Sequence, residues 1–156
     1  MKTTLLLIGR TTDTHILSLI EDYRKRLTHY LSFDITVIPE LKNSRHLSEE
    51  QQKEAEGKLI LQHIDSSSVL VLLDEHGNQY RSTEFARRMQ QFMSAGRNIV
   101  FAIGGPYGFS ETVYQRADHR ISLSPMTFSH QMVRLIFVEQ LYRAMTILRG
   151  EPYHHE

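Results

Sequence analysis

Short runs of apolar residues alternate along the chain with segments whose apolar side chains recur every three or four positions. Five runs have the length and composition of buried strands, at residues 3–9, 33–38, 69–73, 98–103 and 120–123. The segments between and after them predict helices, and the longest begins at Ser129 and ends before Gly150 and Pro152. This alternation is typical of an α/β domain with a mainly parallel sheet and helices on both faces.

Polar residues at the starts of the helical segments sharpen these boundaries. Asp13, Ser82, Ser110 and Ser129 each precede a periodic segment and are predicted N-caps, and Ser48 forms a capping-box pattern with Gln51. Two stretches lack periodicity. Residues 40–47 predict a polar, mobile connection, and residues 74–79 predict a polar loop after the third strand.

The length of 156 residues suits one globular domain, and no repeat or linker divides residues 1–156. The absence of cysteine excludes a disulfide framework, an iron–sulfur cluster, a thiolate zinc site and a cysteine nucleophile. The apolar runs are too short to span a bilayer, and the first residues lead into a strand rather than a signal peptide. We therefore expect a cytoplasmic protein that does not interact with membranes.

The net charge of zero hides an uneven distribution. Residues 1–80 hold nine Lys and Arg against twelve Asp and Glu, whereas residues 81–156 hold nine against six. All nine cations of the second half are arginines, whose planar guanidinium matches phosphate and carboxylate. This pattern suggests a polyanionic partner, with ordinary surface arginine as the alternative.

A glycine-rich loop follows the predicted fourth strand. Gly104, Gly105 and Gly108 lie within five residues, where glycine permits close approach of main-chain amides to a ligand. A tight strand-to-helix turn is the structural alternative. A dinucleotide-binding fingerprint would follow the first strand instead, and no GxxxxGK[ST] motif is present. These absences argue against a classical Rossmann cofactor site and a P-loop hydrolase.

The loop after the fifth strand mixes small residues with Met126 and Phe128. In open α/β sheets ligands bind beyond the carboxyl ends of the strands, so this loop could read a flat ring through its main chain. A space-filling loop is the alternative. His130 and Arg134 lie four positions apart and share one helix face, which suits anion binding or proton transfer as well as ordinary capping.

The C-terminal residues Tyr153, His154, His155 and Glu156 combine an aromatic ring, two imidazoles and a carboxylate. A solvated tail and a tail folded over a pocket are both open interpretations. Metal binding is disfavoured because adjacent histidines point apart and no other cluster completes a ligand set. We therefore expect no metal.

Several motifs occur together in a characteristic order. They are Gly104-Gly105-Pro106-x-Gly108-x-Ser110, Ser122-Leu123-Ser124 with Thr127, His130 and Val133-Arg134, Glu139-x-Leu141-Tyr142-Arg143-Ala144, and Pro152-Tyr153-His154-x-Glu156. This sequence resembles the RlmH family over nearly the whole chain. The resemblance implies a SPOUT-type α/β knot with a C-terminal trefoil knot, and a homodimer. It also implies an S-adenosylmethionine-dependent methyltransferase that modifies N3 of a pseudouridine in large-subunit ribosomal RNA. Because a net charge of zero predicts weak binding to free RNA, we expect the substrate to be ribosomal RNA within the assembled 70S ribosome.

The resemblance also assigns residues. The implied cofactor-binding positions are Leu73, Gly104, Gly105, Leu123, Ser124, Pro125, Met126, Thr127 and Phe128. The implied substrate and catalytic positions are His130, Arg134, Arg143, Tyr153 and His154, with part of the site expected from the other subunit. Our mechanistic hypothesis is that His154, or a water it holds, removes the N3 proton. Arg143 or Arg134 would then stabilise the imide anion or anchor a phosphate.

Four positions depart from the family pattern: Tyr107, Ser129, Gln131 and His155. At position 155 relatives commonly carry a permanent cation, and histidine is only partly charged near neutral pH. Two alternatives to the methyltransferase remain open, a non-catalytic RNA- or ribosome-binding module of the same fold and a small-molecule enzyme of flavodoxin-like fold. Cofactor binding separates the first from the methyltransferase, and a flavin spectrum would reveal the second.

Overall fold

The computed structural model describes residues 1–155 and contains five strands and five α-helices in strict alternation. In chain order they are β1 (Thr3–Ile8), α1 (Thr14–Leu27), β2 (Phe33–Ile38), α2 (Glu49–Gln62), β3 (Val69–Gln79), α3 (Ser82–Ser94), β4 (Ile99–Ile103), α4 (Glu111–Arg116), β5 (His119–Ser122) and α5 (His130–Leu148). One turn of 3-10 helix, Ser44–His46, occupies the segment for which the sequence predicted a mobile connection.

The five strands form one parallel sheet in the order β2-β1-β4-β3-β5. Phe101 in the central strand β4 pairs with Leu5 of β1 on one side and with Val71 of β3 on the other. Every residue of β4 is buried, as expected for a parallel strand covered on both faces. The predicted α/β class with a parallel sheet is therefore confirmed.

Helices cover both faces of the sheet. On one face α5 packs between α1 and α3, and Phe137 of α5 contacts the Phe101 ring at a centroid distance of 4.8 Å. On the other face α2 and α4 pack together, and Ile60 and Val113 are buried with Leu72. Because successive side chains of a strand point to opposite faces, each buried strand contributes to both layers of the core.

Most of the predicted helix starts are confirmed. The Asp13 carboxylate accepts hydrogen bonds from the amides of residues 15 and 16, and the Ser48–Gln51 capping box is present. Ser110 and Ser129 cap α4 and α5. The prediction for Ser82 is wrong, because the cap position is one residue earlier and Ser82 Oγ donates to Gln140 Oε1 at 3.0 Å.

The prediction of a loop at residues 74–79 is also wrong, because β3 continues through this segment to Gln79. After a register shift, Asn78 pairs with Ile121 and Gln79 with Ser122, so both halves of β3 contact β5. Gly77 permits the second half of β3 to pack this closely against β5. A Cβ atom there would lie 2.7 Å from the carbonyl carbon of Arg120. Polar composition suggested a loop, but main-chain pairing with a distant strand overrides that local signal.

No helix among residues 1–155 is both long and apolar enough to cross a lipid bilayer.

Candidate functional site

The carboxyl ends of β3, β4 and β5 surround a cavity of about 230 Å³, hereafter the strand-end cavity. The glycine loop after β4 and the loop after β5 form its walls. Eight of the nine predicted cofactor-binding residues line it: Leu73, Gly104, Gly105, Leu123, Ser124, Met126, Thr127 and Phe128. Pro125 is exposed and does not line the cavity. The structure thus brings residues from three strand ends into one concave site.

The glycine loop is compact because its main chain folds back on itself. The amide of Gly108 donates to the carbonyl of Gly105 at 3.2 Å, and Gly108 has a φ of +84°. A Cβ atom at Gly104 would lie 3.2 Å from the Gly108 carbonyl oxygen, and one at Gly105 would lie 2.5 Å from the Glu56 carboxylate. A Cβ atom at Gly105 would therefore displace the Glu56 carboxyl group, and one at Gly104 would crowd the main chain of Gly108.

The loop after β5 is ordered by short-range polar contacts. Ser122 Oγ donates to the Ser124 carbonyl at 3.0 Å, and Ser124 Oγ accepts from the Met126 amide at 2.9 Å. Thr127 Oγ1 donates to Glu75 Oε2 at 3.1 Å and so joins this loop to β3. Met126 is 74% exposed, which leaves a flexible apolar side chain at the open side of the cavity.

Two acidic residues of β3, Asp74 and Glu75, line the strand-end cavity although they were not among the predicted site residues. Asp74 lines the cavity and its Oδ2 accepts from the Tyr114 hydroxyl at 2.7 Å. Burial, together with the Asp74 carboxylate, raises the pKa of Tyr114 to about 12. The position of Asp74 at the end of an apolar run was the available signal, but the residue was assigned to a loop.

His130 and Arg134 share the first turns of α5 but have different environments. His130 is exposed and lines the strand-end cavity. Arg134 is 4% exposed, and its guanidinium donates to the Ile8 carbonyl at 2.9 Å and to Thr11 Oγ1 at 3.0 Å. Burial lowers the pKa of this guanidinium. Arg134 therefore fixes the carboxyl end of β1 as well as lying near the site.

Gln131, one of the departures from the family pattern, also holds the β1–α1 connection. Its Oε1 accepts from the Thr12 amide at 2.7 Å and from the Asp13 amide at 3.2 Å. Ser129 caps α5 by accepting from the Met132 amide at 3.1 Å. Both departures thus have a structural explanation in the start of α5. Tyr107 is exposed, and the structure gives no reason for it.

The remaining predicted catalytic residues, Arg143, Tyr153 and His154, form a second group with two residues that were not predicted, Tyr23 and Glu139. This group is hereafter called the tail cluster. Arg143 donates to Glu139 Oε1 at 2.6 Å and to His154 Nδ1 at 3.0 Å. The Tyr153 hydroxyl donates to the same Glu139 oxygen at 3.0 Å and lies 3.1 Å from the Tyr23 hydroxyl.

Ring packing orders this cluster further. The guanidinium of Arg143 lies 4.8 Å from the centroid of the Tyr153 ring, which also packs edge-on against Tyr142. Burial, with hydrogen bonds to Tyr23 and Glu139, raises the pKa of Tyr153. Tyr153 and His154 are therefore folded back on α5, whereas His155 is exposed. Glu156 lies outside the described residues.

The two groups of predicted catalytic residues are far apart within one chain. His130 and Arg143 are separated by thirteen residues of the continuous helix α5, which corresponds to roughly 20 Å along its axis. The structure therefore brings His130 and Arg134 to the cavity region and Arg143, Tyr153 and His154 to the other end of α5. One chain alone does not assemble all five.

Several of the arginines in residues 81–156 stabilise the fold, although their number suggested a role in binding a partner. Four of its nine arginines donate to main-chain carbonyls: Arg97 to Ser67 and Ser68, Arg116 to Asp65 and Ser68, Arg134 to Ile8, and Arg149 to His29. These side chains satisfy the ends of strands and helices. Their number is consequently weak support for a polyanionic partner.

No three His, Asp or Glu side chains within residues 1–155 are placed to hold a metal ion together.

Comparison with known proteins agrees with this architecture. A family model described as predicted SPOUT methyltransferase matches residues 1–154. Proteins named ribosomal RNA large subunit methyltransferase H align over the whole of both chains: 60% identity for Bacteroides thetaiotaomicron, 59% for Bacteroides fragilis and 54% for Flavobacterium johnsoniae. The resemblance found from the sequence motifs is confirmed, and the trefoil knot stays a prediction.

Proposed function

Because this chain belongs to the SPOUT methyltransferase family, we propose that it transfers a methyl group from S-adenosylmethionine to N3 of a pseudouridine in large-subunit ribosomal RNA. The observation that carries the proposal is the strand-end cavity, where eight residues that the resemblance assigned to the cofactor meet at the carboxyl ends of three parallel strands. Ligands of open α/β sheets bind at this edge. The proposed substrate would place the protein in the cytoplasm.

The composition of the cavity fits the proposed cofactor. Leu73, Ile103 and Val133 supply an apolar wall, which suits the adenine ring and the methylene carbons next to the sulfonium. Gly104, Gly105 and Gly108 have no side chains to hold the main chain away from a ligand, so their amides and carbonyls can contact polar groups directly. Asp74 and Ser124 add side-chain acceptors at the rim. When bound, S-adenosylmethionine supplies an electrophilic methyl group.

We further propose a homodimer in which each strand-end cavity is completed by the tail cluster of the other chain. The distance along α5 separates the two groups within one chain, whereas a two-fold arrangement can bring them together. Leu17 and Leu19 of α1 and Met132 of α5 are more than 40% exposed. These apolar side chains support a contact between copies, because such side chains are commonly buried at subunit interfaces.

In this composite site the tail cluster would act on the nucleobase. Arg143 has only donors, so the contact with His154 requires Nδ1 to accept, which leaves the hydrogen of the neutral ring on Nε2. This tautomer supports a donor role, in which His154 and Arg143 hold a base oxygen while N3 releases its proton to water. Stabilising that developing charge is a large contribution in comparable sites. Removal of the proton by His154 itself would require the other tautomer.

A preformed ribosomal surface is the substrate most compatible with the charge of the chain. The net charge is zero, and four arginines of the second half are occupied by main-chain carbonyls. Few phosphates can then be neutralised, so affinity for free RNA should be low. We propose the assembled ribosome, which presents a fixed shape and can supply its own contacts.

The first test is calorimetric titration with S-adenosylmethionine, followed by methyl transfer to ribosomes that lack the modification. Wild-type protein should bind saturably and transfer methyl groups. Gly105→Leu should lose binding, because even a Cβ atom would lie 2.5 Å from Glu56. Ala95→Leu, on the exposed end of α3, is the matched control and should behave as wild type.

Two outcomes would contradict the proposal. Absence of cofactor binding by the wild-type protein would favour a ribosome-binding module of the same fold. Binding without methylation of any ribosomal substrate would place the activity on a different acceptor.

A further inference from the structure

A second cavity, of about 300 Å³, adjoins the strand-end cavity. Gly105, Pro106 and His130 line both cavities and therefore form the boundary between them. We call the second one the α2 cavity, because α2 forms one of its walls. Its polar lining comes from α2, from the connections that follow β1 and β2, and from α5: Arg10, Thr12, Glu40, Gln52, Glu56 and Arg134.

Glu56 is the unusual member of this lining. The residue is only 3% exposed, although its side chain carries a carboxyl group. Its Oε2 accepts from Gln52 Nε2 at 3.3 Å, whereas no residue among 1–155 donates to its Oε1. Burial, with a smaller contribution from the nearby Glu40 carboxylate, raises the pKa of Glu56. Buried polar atoms without a partner are rare in folded proteins and require a specific explanation.

The Glu56 carboxyl group also lies directly against the glycine loop. A Cβ atom at Gly105 would be 2.5 Å from both of its oxygens, so only the main chain of Gly105 separates it from the strand-end cavity. A ring in the α2 cavity would lie beside the place where we put the methyl donor. Methyl transfer requires such proximity between the reacting groups.

We propose that the α2 cavity receives the target nucleobase, and that Glu56 selects pseudouridine over uridine by accepting a hydrogen bond from its ring N1–H. This inference rests on the function proposed above. In pseudouridine the sugar is attached through carbon, so N1 keeps its hydrogen; in uridine N1 carries the sugar. A carboxyl oxygen directed at N1 therefore separates the two bases, and it can accept in either protonation state.

The charge of the α2 cavity favours a neutral ring over a phosphate. Glu40 and Glu56 offset Arg10 and Arg134 in its lining, so the cavity has no excess of positive charge to hold an anion. The guanidinium of Arg134 is already engaged by Ile8 and Thr11. A uracil ring presents both N–H donors and carbonyl acceptors, which match a lining of mixed polarity.

The test compares two ribosomal substrates that both lack the methyl group, one with pseudouridine and one with uridine at the target position. Glu56→Met removes the acceptor while keeping the length of the side chain. Glu54→Met is the matched control, since Glu54 is on the same helix but lines a different, outward-facing cavity. The measurements are kcat/KM on each substrate, the Kd for S-adenosylmethionine, and thermal unfolding to verify folding.

Wild type should prefer the pseudouridine substrate by about a hundredfold, since sites that pair a polar group discriminate strongly against ligands lacking it. Glu56→Met should reduce this ratio at least about tenfold through the pseudouridine rate alone, with an unchanged rate on uridine and an unchanged Kd. Glu54→Met should keep the wild-type ratio.

An unchanged ratio in Glu56→Met would overturn the assignment of Glu56. A weakened Kd for S-adenosylmethionine in that variant would also overturn it, because Glu56 would then support the glycine loop. If wild type methylates neither substrate, the proposed function itself fails, which is distinguishable from both results.

Discussion

The strand-end cavity and the tail cluster are held together by different kinds of contact. The cavity depends on main-chain proximity: glycines at 104, 105 and 108 let two loops approach each other at the ends of paired strands. The tail cluster depends on side-chain hydrogen bonds, which converge on one oxygen of Glu139. The strand-end cavity can form a binding site within one chain. The tail cluster is a set of oriented side chains outside this cavity, so its substrate would have to be held by another surface.

This difference suggests a division of labour. If the cavity binds the methyl donor and the tail cluster acts on the nucleobase, damage to one should leave the other intact. Substitutions in the two regions should therefore affect cofactor affinity and turnover separately, and combined variants should reveal whether the regions meet across two chains.

The largest effect is expected from mixing two inactive variants, Gly105→Leu and Arg143→Ala, after unfolding and refolding them together. Each heterodimer should contain one intact composite site, so an equal mixture should recover about one quarter of wild-type activity from two nearly inactive proteins. The measurement is methyl transfer to unmodified ribosomes. No recovery despite confirmed heterodimers would mean that each site lies within one chain.

The next effect is that of Arg143→Ala alone. It removes the donor to Glu139 and His154, so we expect kcat to fall about a hundredfold by loss of charge stabilisation. The Kd for S-adenosylmethionine should stay within about twofold of the wild-type value, because the cofactor is proposed to bind in the strand-end cavity, which Arg143 does not line. Arg149→Ala, on the last turn, is the control and should retain wild-type kcat. A large loss of cofactor affinity in Arg143→Ala would contradict the separation.

A pair of Tyr→Phe substitutions probes the two regions with the same chemical change. Tyr114→Phe removes the hydroxyl that donates to Asp74 and should weaken cofactor binding about fivefold, near the usual contribution of about 1 kcal/mol for one hydrogen bond. Tyr153→Phe removes the donor to Glu139 and should lower kcat by a similar factor. If both variants change the same kinetic parameter, the comparison fails.

The smallest effect concerns stability and its pH dependence. The raised pKa of Glu56 means that the folded protein holds a proton that the unfolded chain releases. Wild-type stability should therefore fall as the pH rises from the ordinary carboxyl range through the folded pKa. Methionine does not titrate, so Glu56→Met should raise the free energy of unfolding relative to wild type. The gain should be of the order of 1 kcal/mol at pH values above the folded pKa of Glu56 and progressively smaller in acid. Urea unfolding of both proteins, in acid and at neutral pH, measures the difference in the free energy of unfolding. An equal gain in acid and at neutral pH would contradict the burial argument.

Much of the fold could be predicted because its signals are local. Phe33–Ile38 was predicted with its observed bounds, and Asp13 and the Ser48–Gln51 pair mark helix starts through hydrogen bonds that span two or three residues. The errors have the opposite character. The continuation of β3 to Gln79 depends on pairing with β5 more than forty residues away, and polar composition alone favoured a loop.

The candidate site shows the same limit. The two loops that line the strand-end cavity could be located because they follow strands whose carboxyl ends share one edge of the sheet. Asp74 was not assigned a role, since its contact with Tyr114 spans forty residues. Glu56 gave no signal either: a glutamate on a polar helix is ordinary until Gly105 is packed against it.

The amino-acid sequence was sufficient to predict the succession of strands and helices along the chain, most of the helix caps, the two loops that line the strand-end cavity, and the family. Periodicity, capping and motif spacing act over a few residues, so they can be recognised without a structure. Three features emerged only from tertiary packing: Arg134 holds β1, Glu56 lies beneath the glycine loop, and Tyr153 and His154 lie at the far end of α5 from the cavity. These features depend on which distant segments are packed together, and burial and pairing energies fix that choice only when the whole chain has folded.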